Sequence, residues 1–232
     1  MERAVNRFTR SPIGGNPGER VYAILREAIV TAELEPGRQL SENELAELLG
    51  VSRTPLRGAL ARLREDRLVV IVPQLGTFVT MISRSAVEDA AFVREALECA
   101  AIRMATERIT EAGLEELQVN LAAQERAEAE HDADSFDLLD EDLHRAICQQ
   151  SGHEIAWALS RRANGHLDRV RRLSLPDNTY LSQMVTEHRS MVAAIAEGKP
   201  DQAEEELRRH LRTVLSSLDQ IRSRHPEYFE TE

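Results

Sequence analysis

Residues 36–63 read PGRQLSENELAELLGVSRTPLRGALARL, and the turn and capping residues in this stretch decide the fold of the first third of the chain. Ser41 is followed three residues later by Glu44, a capping-box pattern that opens a short helix. Gly50 supplies a left-handed turn after that helix, and Ser52 can cap the next one. The stretch therefore predicts two helices joined by a tight turn.

The segments on either side complete a small domain. An amphipathic pattern over residues 19–29 predicts a helix before the quoted stretch. After it, two runs rich in β-branched residues, 68–72 and 77–80, flank a Pro-Gln-Leu-Gly turn at 73–76 and predict a short hairpin. Helix, short helix, turn, helix and hairpin in this order predict a winged helix-turn-helix over residues 19–80.

The rest of the chain divides by composition into an arm, a connector, a helical body and a tail. Residues 1–18 are rich in Pro and Gly and are expected to form a flexible arm, and residues 81–85 a linker. Short connections between long helical patterns predict an all-α antiparallel bundle over 86–225, with a tail at 226–232. The fold class predicted is thus mainly α. The predicted bundle helices are 86–107, 112–130, 134–151, 154–173, 178–197 and 200–222.

Composition excludes several classes of protein. Of the 232 residues, 42% are hydrophobic and 30% charged, enough for a buried core and a soluble surface. No run of 18 apolar residues and no apolar signal core occurs, so membrane spanning and secretion are not expected. Cys99 and Cys148 lie in helical patterns and form no paired framework. We therefore expect a reducing, cytoplasmic location.

The net charge of −11 hides an asymmetry between the two parts of the chain. Residues 1–80 carry 11 arginines against 10 acids, whereas residues 81–232 carry 18 basic and 30 acidic side chains. Within the first part, residues 52–64 hold four arginines and no acid. A basic helix on a near-neutral module, attached to an acidic body, indicates a protein with one DNA-binding end. The four arginines are Arg53, Arg57, Arg62 and Arg64.

The second helix of a helix-turn-helix enters the major groove, and its first residues reach base edges. Arg53 lies at that position and Arg57 one turn later on the same face, and arginine pairs with guanine with about 1–3 kcal/mol of discrimination. Ser52 and Thr54 suit phosphate contacts, and Gly76 would allow a wing to approach the minor groove closely. The alternative, two solvated surface arginines, is less favoured because both flank a Thr-Pro helix start in this module.

The segment from Glu19 to Thr80 resembles the winged-helix signature of the GntR family. The resemblance implies that Arg53 and Arg57 read bases and phosphates. Two positions depart from the family pattern. Asn43 stands where members usually have Arg, which shortens one expected DNA contact, and Arg67 stands where Gly commonly follows the recognition helix. The matching residues are Pro36-Gly37-Arg-Gln-Leu40-Ser41-Glu42, Leu45-Ala46-Glu47, Gly50-Val-Ser-Arg-Thr-Pro55, Arg57, Ala59-Leu60 and Leu63.

The helical body contains four candidate metal ligands. Asp140 and His144 are four residues apart on one predicted helix and share a face. His188 lies ten residues before the turn at 198–200 and His210 ten residues after it, so at about 1.5 Å per residue both stand roughly 15 Å from the turn. Three helices could thus bring a carboxylate and three imidazoles together, a set that suits Zn²⁺, Ni²⁺ or a similar ion. Taken singly, each would be an ordinary core or surface residue.

The same four positions resemble the metal set of the FCD (FadR C-terminal) ligand-binding domain, over about residues 86–222. In that domain an Asp-x-x-x-His motif is joined by a Glu-His pair, here Glu187-His188, and a late His-Leu pair, here His210-Leu211. The resemblance also implies that Arg94 faces the cavity and binds the effector. A surface ion pair with Glu98, one turn away, is an equally open alternative.

Together the two resemblances imply a dimeric transcriptional regulator of the FadR subfamily, with repression as the default. The expected partners are palindromic double-stranded DNA half-sites, a second copy of the chain and a small organic acid held by a divalent metal, Zn or Ni. Two alternatives stay open. The metal could be purely structural or be the signal itself, or the centre could serve a metal-dependent hydrolase. An enzyme is not expected, because no further Glu or His stands out as a general base.

Overall fold

A computed structural model describes residues 16–231 of the chain. They divide into two compact units, one comprising residues 16–87 with 222–231 and the other residues 88–221. The predicted fold class, a winged helix-turn-helix followed by an all-α bundle, is confirmed. Most of the predicted arm lies outside the described residues. Its last two residues, Pro17 and Gly18, belong to the first helix rather than to an arm.

The first unit contains three helices and a three-stranded antiparallel sheet. The middle strand is the last in sequence, so the sheet order is β1-β3-β2. The hairpin was predicted, but β1 is only two residues long and leaves no periodic signal in the sequence. The elements are α1 (Pro17–Val30), β1 (Gln39–Leu40), α2 (Glu42–Leu49), α3 (Arg53–Glu65), β2 (Val69–Val72) and β3 (Gly76–Val79).

The capping residues of this unit mostly act as their positions predict. The Ser41 hydroxyl accepts a hydrogen bond from the Glu44 amide, and Gly50 ends α2 in the left-handed conformation with φ of 62°. Ser52 occupies the N-cap position of α3, but its side chain makes no capping hydrogen bond, which corrects the prediction. Arg67 tolerates the turn after α3 with φ of 59°. These residues mark the ends of α2 and the turn that joins α2 to α3.

The core of the first unit is made by apolar side chains from its three helices and its sheet. Leu25 and Ile29 of α1 and Leu56 and Leu63 of α3 are fully buried. Leu68, just before the hairpin, joins the same cluster. The core therefore lies behind α3 and leaves the opposite face of that helix to solvent.

The C-terminal residues pack on the connector after the hairpin. The Ile82 amide donates to the Tyr228 carbonyl at 2.8 Å, and the Glu230 amide donates to the Ile82 carbonyl at 3.1 Å. Phe229 is buried and pairs with Ile82 as a parallel bridge. The predicted linker and tail are thus joined to each other, and a helix already begins at Arg84 inside the predicted linker.

Seven α-helices follow in the described chain, where six were predicted. The predicted helix 154–173 is interrupted at Asn164, which ends one helix and precedes Gly165 at the start of the next. None of the helices in residues 16–231 has the length and apolar character needed to cross a membrane. They are α4 (Arg84–Arg108), α5 (Glu111–Ala129), α6 (Ala133–Gln150), α7 (Glu154–Ala163), α8 (Gly165–Ser174), α9 (Asn178–Ala196) and α10 (Pro200–Arg224), with a final 3₁₀ turn (Pro226–Tyr228).

Side-chain caps start several of these helices. Thr110 accepts from the Gly113 amide at the start of α5, Asp132 caps α6 and Asp177 caps α9. The main core of this unit includes Ile102, Leu117, Leu143, Met191 and Leu207, one from each of five helices. Three of those helices, α6, α9 and α10, carry the candidate metal ligands.

Candidate functional site

The four candidate ligands meet inside the helical unit. The Nε2 atom of His210 lies 3.2 Å from Nε2 of His144 and 3.3 Å from Nε2 of His188. Asp140 places Oδ1 3.4 Å from His188 Nε2 and 4.0 Å from His144 Nε2. All four side chains are buried. Two ligands of one ion, each about 2.1 Å from it, stand roughly 3–4 Å apart, so these separations fit a shared ion.

The helices deliver these side chains as the sequence spacing predicts. Asp140 and His144 are one turn apart on α6, while His188 comes from α9 and His210 from α10. The tight turn of residues 197–199 sends α10 back along α9. The two histidines stand at equal distances from that turn and therefore come level.

Each of the three imidazoles turns its other ring nitrogen toward a side-chain oxygen. A ring whose Nδ1–H faces such an acceptor presents the lone pair of Nε2. Three lone pairs converging without a hydrogen between them repel one another, and a cation removes that repulsion. The donor set therefore fits a divalent metal. The pairs are His144 Nδ1 with Glu98 Oε2 at 2.7 Å, His188 Nδ1 with Gln124 Oε1 at 2.5 Å and His210 Nδ1 with Glu187 Oε2 at 2.9 Å.

The electrostatics hold the ligands in the protonation states that metals bind. Burial lowers the pKa of His144 and, more strongly, that of His188, so both rings are neutral. Burial alone would raise the pKa of Asp140, but the Arg171 guanidinium in contact with it holds that pKa well below its usual range. Neutral imidazoles and an ionised carboxylate are the forms in which these groups coordinate a metal.

Arg94 makes the ion pair with Glu98 that one prediction named, but the pair lies in the interior and not on the surface. Its Nε donates to Glu98 Oε1 at 2.8 Å, and Arg94 is only 3% exposed. Ser160 donates to the same carboxylate oxygen at 3.0 Å. Burial would raise the pKa of Glu98, yet Arg94 and His144 lower it to about 2. Among the described residues, Arg94 Nη2 is buried and has no hydrogen-bond partner. This nitrogen can bind an anionic oxygen.

Several residues that contact the candidate ligands were not predicted in that role, among them Gln124, Arg171 and Glu187. Gln124 and Arg171 touch ligands only through tertiary contacts from α5 and α8, and no motif marks them in the sequence. Glu187 stands beside His188 in the Glu-His pair, so its adjacency to a ligand was the available signal. Its carboxylate holds the ring of His210 instead, on the next helix.

The candidate DNA-contacting side chains at the start of α2 and α3 are all exposed to solvent. Arg57 is also restrained, because its Nε donates to Glu42 Oε2 at 2.9 Å. The other guanidinium nitrogens of Arg57 make none of the described hydrogen bonds or ion pairs and are available for base or phosphate oxygens. The exposed candidates are Asn43, Ser52, Arg53, Thr54 and Arg57.

The wing differs slightly from its prediction. Its turn is made by residues 73–75, and Gly76 is the first residue of β3, paired with Val72. Gly76 has φ of 122°, a conformation that favours glycine, and a Cβ there would lie 3.0 Å from Gln39 Nε2. The same Gln39 nitrogen donates to the Leu75 carbonyl at 2.7 Å. Glycine at position 76 therefore leaves room for the Gln39 side chain to hydrogen-bond to the wing turn.

Comparison with known proteins matches both parts of the chain to families. The family described as "Bacterial regulatory proteins, gntR family" matches residues 17–79, and the FCD domain matches residues 89–213. An HTH-type transcriptional regulator in an unstable DNA locus of Streptomyces ambofaciens is 40% identical, over 91% of this chain and 89% of that protein. The HTH-type transcriptional repressor RspR of Escherichia coli is 33% identical, over 92% and 94%.

Solved structures share the fold. Escherichia coli McbR/YncC superimposes with a TM-score of 0.79 at 22% identity, over 89% of this chain and 98% of that one. A GntR regulator from Rhodococcus gives a TM-score of 0.70 at 24% identity, over 90% and 99%. The matched families and the relatives of known class are transcriptional regulators and not enzymes, which favours regulation over the hydrolase alternative.

Proposed function

This chain belongs to the GntR family of bacterial regulatory proteins and is a DNA-binding transcriptional regulator with an FCD domain, and from that premise we propose that it responds to a small organic acid through a metal centre. The metal ligands are Asp140, His144, His188 and His210. The observation that carries the proposal is the convergence of three Nε2 atoms, each on a ring whose Nδ1 faces an oxygen.

The centre suits Zn²⁺ or Ni²⁺, because imidazole nitrogen and carboxylate oxygen are ligands that both ions accept. When bound, such an ion would supply Lewis-acid attraction for a carboxylate oxygen. Arg94 supplies a buried cationic nitrogen in the same interior, because it donates to Glu98, whose other oxygen lies 2.7 Å from His144 Nδ1. A small organic acid would be held by the ion and by Arg94 together.

At the other end, the exposed first turn of α3 reads DNA. Arg53 and Arg57 contact base edges or phosphates in the major groove, and Ser52 and Thr54 contact phosphates. Asn43 adds a shorter contact from α2, and the backbone at Gly76 approaches the minor groove. The regulator acts as a homodimer on palindromic half-sites in the bacterial cytoplasm, where its DNA partner is located.

The relative RspR is described as a repressor, and we propose repression for this chain as well. Effector binding then changes operator affinity only to the extent that the acid binds the DNA-competent and DNA-incompetent states differently. Two alternatives to an acid-sensing centre can be tested separately. In one, the metal only stabilises the bundle, and in the other, the metal is itself the signal.

The metal proposal is tested by elemental analysis and calorimetry of the full chain. Protein stripped with a chelator should bind one Zn²⁺ or Ni²⁺ per chain. His188→Ala should lower that affinity at least 100-fold, because it removes one of four ligands and leaves the others too few. His153→Ala, an exposed histidine at the start of α7, is the matched control and should bind metal normally. Equal metal binding by both variants would overturn the proposal.

The effector proposal needs an operator, which selection from random double-stranded DNA supplies. Anisotropy titrations then compare operator affinity for stripped, metal-loaded and metal-plus-acid protein, using a panel of small organic acids. We expect at least one acid to bind the loaded form and to lower operator affinity five-fold or more. If no acid binds and metal alone changes operator affinity, the metal is the signal. If neither changes it, the metal is structural.

A further inference from the structure

The wing of the first unit carries no charged side chain. Residues 68–80, which contain β2, the wing turn and β3, include neither an acid nor a base. Helix α3, which precedes the wing, holds four arginines. Arginine and lysine make most of the charged contacts from proteins to phosphates. The side chains of this wing therefore have nothing that a phosphate attracts by charge.

The wing instead exposes large apolar side chains, although residues of this type are usually buried. Leu75, at the tip, is 64% exposed, and Val70 and Ile71 on β2 are 44% and 47% exposed. Neighbouring residues of a strand point to opposite faces of the sheet. Because Val70 and Ile71 are neighbours and both are exposed, the end of the hairpin extends beyond the core. The wing thus presents a projecting apolar tip.

The backbone of the tip is restrained. The Leu75 amide donates to the Val72 carbonyl at 3.1 Å and closes a four-residue turn, in which the ring of Pro73 fixes one backbone angle. The Gln39 side chain donates to the Leu75 carbonyl at 2.7 Å. Both backbone polar groups of Leu75 are therefore paired, so little backbone ordering is needed when the tip enters a binding site.

We propose that Leu75 acts as an apolar wedge, which enters the minor groove of the operator beside the base pairs read by α3 and partly separates two stacked base pairs. Minor-groove proteins insert side chains such as leucine between base steps in this way. The steps that open at the lowest cost are pyrimidine–purine steps, TA and CA/TG. The wing thereby recognises the deformability of DNA and needs no hydrogen bond to a base. The inference rests on the operator binding proposed above and names what the wing recognises.

The position of the tip favours DNA over a second protein as its partner. Strand β2 begins four residues after α3 ends, and Gln39, which holds the tip, lies on β1 just before α2. The tip is therefore joined to both helices of the helix-turn-helix. When α3 fills the major groove, the adjacent surface of the duplex is the minor groove. The arginines of α3 meet the charge of the duplex, and the neutral wing adds apolar contact with the sugars and base edges.

Operator selection and affinity measurements test the wedge. Selection from random double-stranded DNA with the full chain should enrich TA or CA/TG steps beside the half-sites. Selection with Leu75→Ala should lose that enrichment and keep the base pairs read by α3. On the wild-type operator, Leu75→Ala should weaken binding by about five- to ten-fold, because a buried apolar contact is lost. Leu75→Met, which keeps an apolar side chain of similar volume, should bind within two-fold of wild type.

Leu48→Ala is the matched control for these measurements. Leu48 is 49% exposed on α2 of the same unit and is not a candidate DNA contact. Its replacement removes the same atoms from another exposed leucine and should leave operator affinity and base-step preference unchanged. Equal operator affinity of Leu75→Ala and Leu48→Ala would overturn the wedge.

Two further readouts distinguish insertion from other contacts. 2-Aminopurine placed at the flanking step becomes brighter when the step opens, so saturating wild-type protein should raise its fluorescence roughly two-fold or more. Leu75→Ala should give no such rise. Leu75→Ala should also leave the salt dependence of operator affinity unchanged, because leucine displaces no counterion. Leu75→Arg should steepen the slope of log affinity against log salt by about 0.9.

The outcomes separate this inference from the proposed function. A chain that selects no operator removes both the proposed base reading and the wedge. If Arg57→Ala weakens operator binding and Leu75→Ala does not, base reading stands and only the wedge is overturned. Wild-type protein that raises 2-aminopurine fluorescence at none of the flanking steps also overturns the wedge, even where Leu75→Ala weakens binding.

Discussion

At the scale of single residues, Gln124 is placed to influence the proposed metal centre without being one of its candidate ligands. It is fully buried, and its oxygen accepts from His188 Nδ1 at 2.5 Å. Gln124→Met keeps the length of the side chain but removes the acceptor, so the ring of His188 can turn or move its proton to Nε2. We expect zinc affinity of the stripped protein to fall by roughly 10–100-fold, measured by competition with a chelating dye.

Gln150→Met is the control for this change. Gln150 is a half-buried glutamine of α6 whose amide donates to Glu116 at 3.2 Å and not to a candidate ligand. Its replacement should leave zinc affinity within two-fold of wild type. An equal loss in both variants would show that packing, and not the orientation of His188, limits metal binding.

Arg57 carries a residue-scale prediction at the DNA-binding end. Glu42 accepts from its Nε, and the other guanidinium nitrogens make none of the described hydrogen bonds. Arg57→Ala should cost about 1–3 kcal/mol on the selected operator but much less on operators changed at one base pair, because a base contact carries sequence preference. Arg64→Ala, an exposed arginine in the last turn of α3, should weaken binding to all sequences alike. Uniform loss with Arg57→Ala would contradict base reading.

At the scale of secondary structure, the sequence predicts elements best where a cap and a periodic face agree. Helix α2 is recovered because Ser41 and Gly50 mark both of its ends. Periodicity does not predict the break at Asn164, because the apolar period continues through it into α8 and only the Asn-Gly pair indicates a turn there. Strand β1 was missed because Leu40 pairs with Thr77 only after the chain has folded.

The same reasoning explains how much of the metal centre the sequence predicts. The four ligands are chemically distinctive. Asp140 and His144 share a helix face, and His188 and His210 stand level across one turn, so their convergence could be predicted. Gln124 and Arg171 could not, because an amide and a guanidinium occur everywhere on helices and only the packing of α5 and α8 aims them here. Periodicity places a residue on a face but does not choose the neighbouring helix.

Two glycines of the helix-turn-helix give opposite predictions for its stability. Gly58 lies in the middle of α3 with open space where a Cβ would stand, so Gly58→Ala should stabilise the helix by about 0.5–1 kcal/mol. Gly50 has φ of 62°, and Gly50→Ala should destabilise the motif by about 1 kcal/mol because alanine disfavours that conformation.

Hydrogen exchange of amides in residues 42–65 of the full chain measures both changes, slower for Gly58→Ala and faster for Gly50→Ala. The two variants serve as controls for each other, since both add one methyl group to an exposed glycine of the same motif. If the amide exchange rates of both variants changed in the same direction, the left-handed turn at Gly50 would not limit local stability.

At the scale of the whole molecule, charge is divided as function demands. The near-neutral first 80 residues carry the exposed arginines of α3, whereas the acidic excess lies in the remainder of the chain. An acidic body repels the phosphate backbone and leaves the recognition helix as the favoured point of contact. The average charge of −11 alone would have argued against DNA binding, and only its distribution along the sequence predicts it.

Metal removal separates the two units experimentally. Ion binding to the folded helical unit alone stabilises it by about 2.7 kcal/mol when the free ion is at 100 times its dissociation constant. Trp157, the one tryptophan of the chain, packs in the helical unit on α7, so its fluorescence reports the unfolding of that unit. We expect a chelator to lower the melting temperature reported by Trp157 fluorescence by roughly 5–15 °C.

Two controls accompany this measurement. Amide exchange in α2 and α3 should stay unchanged, and His188→Ala should melt at the lower temperature with or without chelator. A chelator that lowers the melting temperature of His188→Ala as much as that of the wild type would place the stabilising ion elsewhere in the protein.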